Sequence, residues 1–418
     1  MSTTIITSTK TTESALNRVT KISALAASML LGVNVQSAEF EFSGRVGVEG
    51  RYFFETAQYE DQLNHGQASV FAEPEVYWGW NDGNDSVTFK PFIRADGQDS
   101  ERSHGDIREL SYIHAGDDWE LRAGIRKEFW GVTEFQHLVD VINQTDAVED
   151  FDGEDKLGQQ MINLSVVNDW GIVDLFLLPG FRERTFPGED GRLRGPVRVD
   201  TDDVEYESSA EEKHLDVAAR WTHTLGDFDV GTYWFHGTNR DPVLTPTFED
   251  GEVVLKQYYN QMDQVGIDVQ ATIDEWLWKF ETIYRGTDEE DFFATQAGFE
   301  YTYVGVFESA ADLGWLVEYS WDSRGEGDFD DPGSAFQNDI FFGSRLALND
   351  IQSSELLAGF SSDLDHNAYS FLIEASRRFG ESFKGSLDVR MFQSTHDADQ
   401  IYAIRDDDHV QLTWEWYY

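Results

Sequence analysis

The chain ends His409-Val-Gln-Leu-Thr-Trp-Glu-Trp-Tyr-Tyr418. Val410, Leu412, Trp414, Trp416 and Tyr418 share one parity, and His409, Gln411, Thr413 and Glu415 share the other. Side chains alternate between faces along a strand, so this segment has one apolar face and one polar face. A strand of a soluble sandwich also alternates, but it seldom closes a chain on bare Trp and Tyr. A strand standing between lipid and water does.

The same two-residue period recurs upstream. Trp119, Leu121, Ala123, Ile125 and Phe129 alternate with Glu120, Arg122, Arg126 and Glu128. Val265, Ile267, Val269 and Ala271 alternate with Gln264, Gly266, Asp268 and Gln270, and Trp276, Trp278 and Phe280 with Lys279 and Glu281. A helix would scatter such charges around its circumference, whereas a strand gathers them on one face. Reading on this basis places strands near 40–53, 67–80, 85–95, 106–115, 118–129, 159–168, 170–183, 212–224, 227–238, 257–273, 275–286, 292–306, 311–323, 337–348, 351–363, 367–379, 381–393 and 408–418. The fold class this implies is all-β, an up-and-down antiparallel transmembrane barrel of about 18 strands, with sixteen as the other count the pattern allows. Ile107–His114 alternates poorly, and Pro74 and Pro91 stand inside neighbouring strands, where proline forfeits a ladder hydrogen bond.

The connections supply a second, independent signal. Every second junction is short, as at Asn81–Asn84, Gly116–Asp118, Gly226-Asp227, Asp274-Glu275 and Gly380-Glu381. Most of the others are longer and acidic, the largest covering about 130–158 and 184–211. Short turns on one rim and long loops on the other are the layout of a bacterial outer-membrane barrel with both termini periplasmic. Tyr77, Trp78, Trp80, Trp119, Trp170, Trp276, Trp315, Phe383, Trp416 and Tyr418 cluster beside the short turns, as an interfacial girdle would.

Composition agrees. The 418 residues carry a net charge of −48, so nucleic acid is excluded as a partner for want of a basic face. Aromatic residues make up 14%, too many for an acidic disordered chain, and no apolar run reaches the length of a membrane helix. Cysteine is absent, which removes disulfides and thiolate chemistry. At the other end of the chain, Lys10, Arg18 and Lys21 precede the apolar run Ile22–Val33 and the small residues Ser37 and Ala38. That is the pattern of a secretory signal peptide over 1–38, leaving 39–418 as the barrel.

Eighteen strands enclose more space than side chains fill, leaving an aqueous passage unless something plugs it. The inward parity carries Arg45, Arg94, Arg122, Arg126, Arg220, Lys279, Arg285, Arg345, Arg378 and Arg390. It also carries Glu49, Glu120, Glu128, Asp216, Asp268, Glu281, Glu318 and Asp388. Two readings stay open, an arginine path for anionic solutes and a set of cross-strand ion pairs that stiffen the wall. Phe135, Leu138, Val139 and Ile142 make the 130–158 connection oddly apolar, so it is expected to fold back and narrow the pore, or else to pack over the mouth as a lid. The 184–211 connection, with Arg182, Arg184, Arg192, Arg194 and Arg198 on or beside it, reads as polar and mobile.

No cofactor is implied. The acidic runs Glu149–Asp155, Asp288–Asp291, Asp328–Asp331 and Asp406–Asp408 could hold calcium, but none has EF-hand spacing, and such runs are more often solvated loops. There is no G-x-S-x-G elbow and no H-E-x-x-H helix, and His214 and His223 fall on opposite faces of one strand. The chain therefore reads as a channel rather than an enzyme. A lipid-cleaving barrel and a closed barrel acting as receptor or adhesin are the alternatives.

Taken together, the signal sequence, the alternation and the terminal Val410–Tyr418 segment resemble Gram-negative porins. That resemblance implies passage of small solutes, outer-membrane lipid and the barrel-assembly machinery as partners, with Val410, Leu412, Trp414, Trp416 and Tyr418 as the assembly signal, and a monomer or trimer. Arg122-Ala-Gly-Ile-Arg-Lys-Glu-Phe-Trp-Gly131 and Asp140-Val-Ile-Asn143 look like a stretch of uncharacterised barrels near the alginate-export type, with Gln144 where such relatives often have Pro. This second likeness implies transport of an anionic or uncharged solute and carries over no site residue.

Overall fold

A computed structural model describes residues 38–249, 251–325, 334–396 and 399–418. The signal-peptide reading therefore falls, apart from Ala38, outside the described residues, as does the Asp328–Asp331 run. The barrel comprises β1 (Glu39–Phe53), β2 (Gly66–Trp80), β3 (Asp85–Asp96), β4 (Gly105–Ala115), β5 (Trp119–Arg126), β6 (Gln159–Asn168) and β7 (Gly171–Pro179). After β8 (Val199–Tyr206) it resumes with β9 (Leu215–Leu225) and β10 (Phe228–Thr238). A hairpin of β11 (Val243–Glu249) and β12 (Glu252–Tyr259) follows. The ring is completed by β13 (Gln261–Ile273), β14 (Trp276–Thr287), β15 (Asp291–Tyr303), β16 (Asp312–Asp322), β17 (Asn338–Ala347), β18 (Glu355–Asp363), β19 (Ala368–Phe379), β20 (Phe383–Ser394) and β21 (His409–Tyr417). Each barrel strand pairs antiparallel with its neighbours, and β1 pairs with both β2 and β21, which closes an 18-stranded sheet.

The terminal strand behaves as its pattern dictates. Leu412 is 61% exposed and Trp416 46%, while His409 and Glu415 are buried on the lumen side. The same division holds around the ring: Phe40, Val48, Ile93, Leu175, Val265 and Trp315 face outward and are exposed. Glu49, Arg94, Asp216 and Glu281 face inward and are buried. An apolar belt outside and charge inside invert the soluble arrangement and match the lipid-facing skin of an outer-membrane barrel. Trp119, Trp170, Trp276, Trp315, Phe383 and Trp416 lie exposed beside the short turns, forming the girdle on that rim. Tyr77 is not part of it. It shares the inward parity of Glu73 and Glu75, and its hydroxyl lies over Gly79.

The turns follow from their residues. Asn81 and Asp82 adopt a φ of 55° and Gly83 a φ of 89°, the left-handed conformations that Asn, Asp and Gly tolerate best. The two strand prolines are accommodated by one device. Between β2 and β3 the ladder pairs Ala72 with Ile93 and then Val76 with Phe89, so Pro74 and Pro91 face each other inside a single interruption. A shift in register at Lys90/Pro91 against β4 absorbs the rest.

Three features depart from the sequence reading. The expected strand 257–273 is broken at Asn260: residues up to Tyr259 belong to β12 and only Gln261 onward to the barrel. In addition, β8, β11 and β12 form a separate three-stranded sheet at the long-loop rim, with β12 parallel to β8. The fifth strand also stops at Arg126, so Glu128 and Phe129 begin the first long loop rather than ending a strand.

Candidate functional site: a lumen crossed by two loops

The first long loop, 127–158, enters the barrel. Trp130, Val139, Val141 and Ile142 join Met161, Phe176, Leu178, Tyr233, Phe235, Met262, Ile283 and Phe292 in one buried cluster, with Leu138 packed against it. Apolar residues on the inner wall from β6 to β15 thus receive the apolar face of the loop, which is why a loop of this composition leaves the water. Trp130 packs edge-on to Phe176 and beneath the Arg220 guanidinium. Phe135 stacks on Phe341 of β17 with ring centroids 5.0 Å apart.

Two carboxylates of the wall hold the loop's backbone. Glu281, fully buried at mid-strand in β14, accepts the amides of Val132 (2.6 Å) and Thr133 (2.9 Å) on Oε1 and that of Val139 (3.2 Å) on Oε2. Glu318 of β16 accepts the amides of Glu134 and Phe135 (each 2.9 Å) and the side chain of Gln296 (2.7 Å). Gly131 has a φ of +148° and brings the chain so close to Glu281 that a Cβ there would stand 3.1 Å from Oε1. Consecutive amides converging on a carboxylate form a compact anion site, here filled by the protein's own side chain. Both glutamates were expected as pore-lining acids. They face the lumen, and their oxygens are engaged by the loop.

From there the loop reaches other parts of the wall. The Glu134 carboxylate pairs with Lys279 (3.2 Å) and with Arg345. Further along, Glu149 is bound by Arg94 through Nη2 (2.6 Å) and Nε (2.8 Å), while Arg108 holds Asp146 (2.7 Å). Asp152 meets Arg390 of β20 at 3.2 Å, and Phe151 packs edge-on to Phe392. The loop therefore touches β3, β4, β14, β16, β17 and β20, spanning the barrel from side to side.

Most of the expected inward cations are paired. Arg45 bridges Glu73 (3.2 Å) and Glu415 (2.7 Å), and Arg94 also reaches Glu49 (3.2 Å). Arg122 pairs with Glu120, Arg126 with Glu128 (3.3 Å), Arg220 with Asp268 (2.7 Å) and Arg285 with Asp241 (2.8 Å). Arg390 holds Asp388 (3.2 Å) and Glu374 (2.8 Å) besides Asp152. Asp216 is taken by Arg240 (2.8 Å), a residue the strand pattern did not single out. Arg378 is exposed near the short-turn rim, over the ring of Tyr417. His214 and His223 do face opposite ways, the first binding Asp216 (2.7 Å) and the second lying beside Trp221.

The second long loop, 180–214, is tied down rather than free. The Arg192 side chain is fully buried and lies over the Phe53 ring. It donates to Asp407 (2.6 Å) and to the carbonyls of Asp406 (2.6 Å) and Asn64 (2.7 Å). Leu193 N donates to Asp407 Oδ2 (2.7 Å), and Leu63 N to the Asp190 carbonyl (2.9 Å). The loop leaves β7 and returns at β9, yet these partners belong to loops beside β1, β2 and β21, across the mouth. It is a strap, fastened across the mouth chiefly by Arg192.

Burial and electrostatics have shifted several groups in the first loop. Burial, then Glu149, pushes the Asp155 carboxyl up to about 6. Burial, then Asp150, raises Asp152 well above the usual carboxylate range. For Asp146, burial acts upward, but His104 and Arg108 prevail and hold it down at about 2.

No protein-family model matches the chain, and no curated protein sequence matches it. Solved structures do. OccAB1 of Acinetobacter baumannii and OpdO of Pseudomonas aeruginosa each align at 8% identity with a TM-score of 0.54, covering 92% of this chain and 97% of theirs. OpdQ of Pseudomonas aeruginosa aligns at 10% identity with a TM-score of 0.50, covering 92% of this chain and 99% of its own. At such identities the likeness concerns the fold. The chain has the fold of the Gram-negative outer-membrane porin-like barrels, and its apolar belt places it in the outer membrane.

Proposed function

We propose that the protein is an outer-membrane diffusion channel for small hydrophilic solutes, with loop 127–158 as its constriction. The observation that carries this reading is the capture of the Val132–Phe135 amides by Glu281 and Glu318 at mid-strand depth. A lid over the mouth would not reach those residues. Phe135, Leu138, Val139 and Ile142 then serve to seat the loop, and the passage runs where its polar side faces the charged wall.

A preference for anions is the finer question. An arginine path attracts anions only where its guanidinium groups lack carboxylate partners, and most of the inward arginines named above have them. The wall is thus close to neutral, while the acidic excess of the chain lies in the loops, so the preference we infer is for uncharged solutes, with at most a weak bias by charge. The Arg192 strap favours a second reading, a closed barrel serving as a receptor. Swelling of liposomes containing the purified barrel, in neutral sugars of graded size, separates the two. Swelling with the smallest sugars and a sharp size limit supports the channel. No swelling from liposomes holding correctly folded barrel, judged by heat-shifted electrophoretic mobility, transfers the case to the receptor.

A further inference from the structure

At the long-loop rim, the turn after β18 and the loop between β20 and β21 bring together side chains far apart in sequence. One ligand atom each from Asp363, His366 and Asp399 lies within 4.8 Å of the others. His396 adds a second imidazole, its ring stacked on that of His366 with centroids 4.0 Å apart and 27° between planes. Two carboxylates and two imidazoles therefore gather from two loops.

We propose that this cluster is a binding site for a divalent transition-metal ion of the zinc type. The donor set decides the class. Imidazole and carboxylate together suit a borderline ion that takes four ligands, whereas calcium and magnesium call for six or more oxygens. The first carboxylate is already held in place. Asp363 Oδ1 accepts the amides of Asp365 (2.7 Å) and His366 (2.9 Å), and Oδ2 accepts Gln337 Nε2 (2.9 Å). Asp399 is fixed from the other side by accepting the Ile401 amide (2.6 Å). For Asp363, His366 and Asp399, closing the remaining distance needs a shift on the order of 1 Å, since ligands around zinc stand about 2 Å from the ion. His396 joins as the fourth ligand by turning out of its stack on His366. A bound ion cancels the repulsion between the two carboxylates and links the loop 395–408 to the turn after β18. That loop also carries Asp407, the partner of Arg192, so the ion would steady the strap over the mouth. The site stands whether or not the barrel conducts.

Calorimetric titration of Zn2+ into the full, folded barrel, purified without a histidine tag and stripped by chelator, is the test. One saturable ion per chain is expected, with affinity falling by at least about tenfold in His366→Ala and in Asp399→Asn, and no competition from equimolar Ca2+. Equal heat-shifted mobility of the variants shows that they remain folded. Should a variant not fold, the wild-type barrel loaded with Co2+ answers the same question through the intense visible absorption of a four-coordinate site. Zinc binding that does not saturate, or that survives both substitutions together, or a Co2+ spectrum of six-coordinate character, overturns the proposal.

Discussion

Replacing Glu281 by Gln should loosen the first loop without disturbing the barrel. In the wild type, Oε1 takes the amides of Val132 and Thr133 and Oε2 takes that of Val139, all at a fully buried site. Gln retains one oxygen, which can keep the Val132 and Thr133 pair. Each of those bonds then loses charge assistance, which costs about 1 kcal/mol apiece. The new amide nitrogen must face the Val139 N–H, donor against donor, leaving a buried group unsatisfied for about 1–3 kcal/mol more. These contributions are not additive, and about 3 kcal/mol is the expected sum. A loss of that size raises the open population of the loop on the order of 100-fold. Amide hydrogen exchange of the purified barrel in detergent reads it directly. Protection of the 130–140 segment should fall by about that factor while strands β13 and β14 keep theirs, since local opening is independent of global unfolding. Glu281→Ala should fall further. If protection in both variants stays within about threefold of wild type, the wall carboxylate does not hold the loop, and the reasoning fails.

Arg192→Ala removes a buried cation from a buried carboxylate, a change that commonly costs about 3–5 kcal/mol; limited proteolysis should then cut 184–211 much faster, with Lys at the position restoring only part of the protection. The pH response of the first loop follows from groups whose folded values are raised. Asp155, pushed up by burial and Glu149 to about 6, is penalised when ionised, so it adds stability as pH falls through 6 and withdraws it as pH rises. His137, where Glu154 at 2.9 Å outweighs the effect of burial and raises it, acts in the same sense. Asp146 opposes them only in acid, losing its contribution as pH falls from the ordinary carboxylate range through its lowered value of about 2. Exchange in residues 145–158, corrected for intrinsic rates, should therefore be slower at pH 5 than at pH 8, and the reverse order would contradict this assignment. Finally, an arginine at Leu412, outward near the middle of β21, should destabilise the barrel by about 2–4 kcal/mol in a bilayer denaturation assay, whereas the same residue at the inward Thr413 should cost far less.

The barrel itself was legible because one physical constraint, lipid outside and water inside, acts on every strand. The alternation it imposes runs from Glu39 to Tyr417, and all eighteen expected strands are present. What escaped lies outside the reach of that constraint. The β8 segment Val-Asp-Thr-Asp-Asp-Val-Glu-Tyr is too acidic to resemble a strand, and β11 contains Pro246; both pair away from lipid, where composition is unconstrained. The break at Asn260 was hidden because Gln257–Tyr259 continue the alternation of β13 into a different sheet. In the lumen, parity identified Glu281 and Glu318 as inward but not what they bind, since backbone amides of a loop leave no trace in side-chain pattern. Glu134 had a signal that went unread: it is the one charged residue in the stretch from Phe129 to Gln136, and it answers two wall cations. Arg192 had none, because its partners come from two other loops.

Current through single barrels in a planar bilayer tests the channel reading most directly. The wild-type protein should give stable ohmic steps with a reversal potential near zero in a salt gradient, and Glu281→Ala or Arg192→Ala should enlarge the steps. Silence from folded wild-type barrel, persisting in both loop-released variants, would show that the lumen is not a passage.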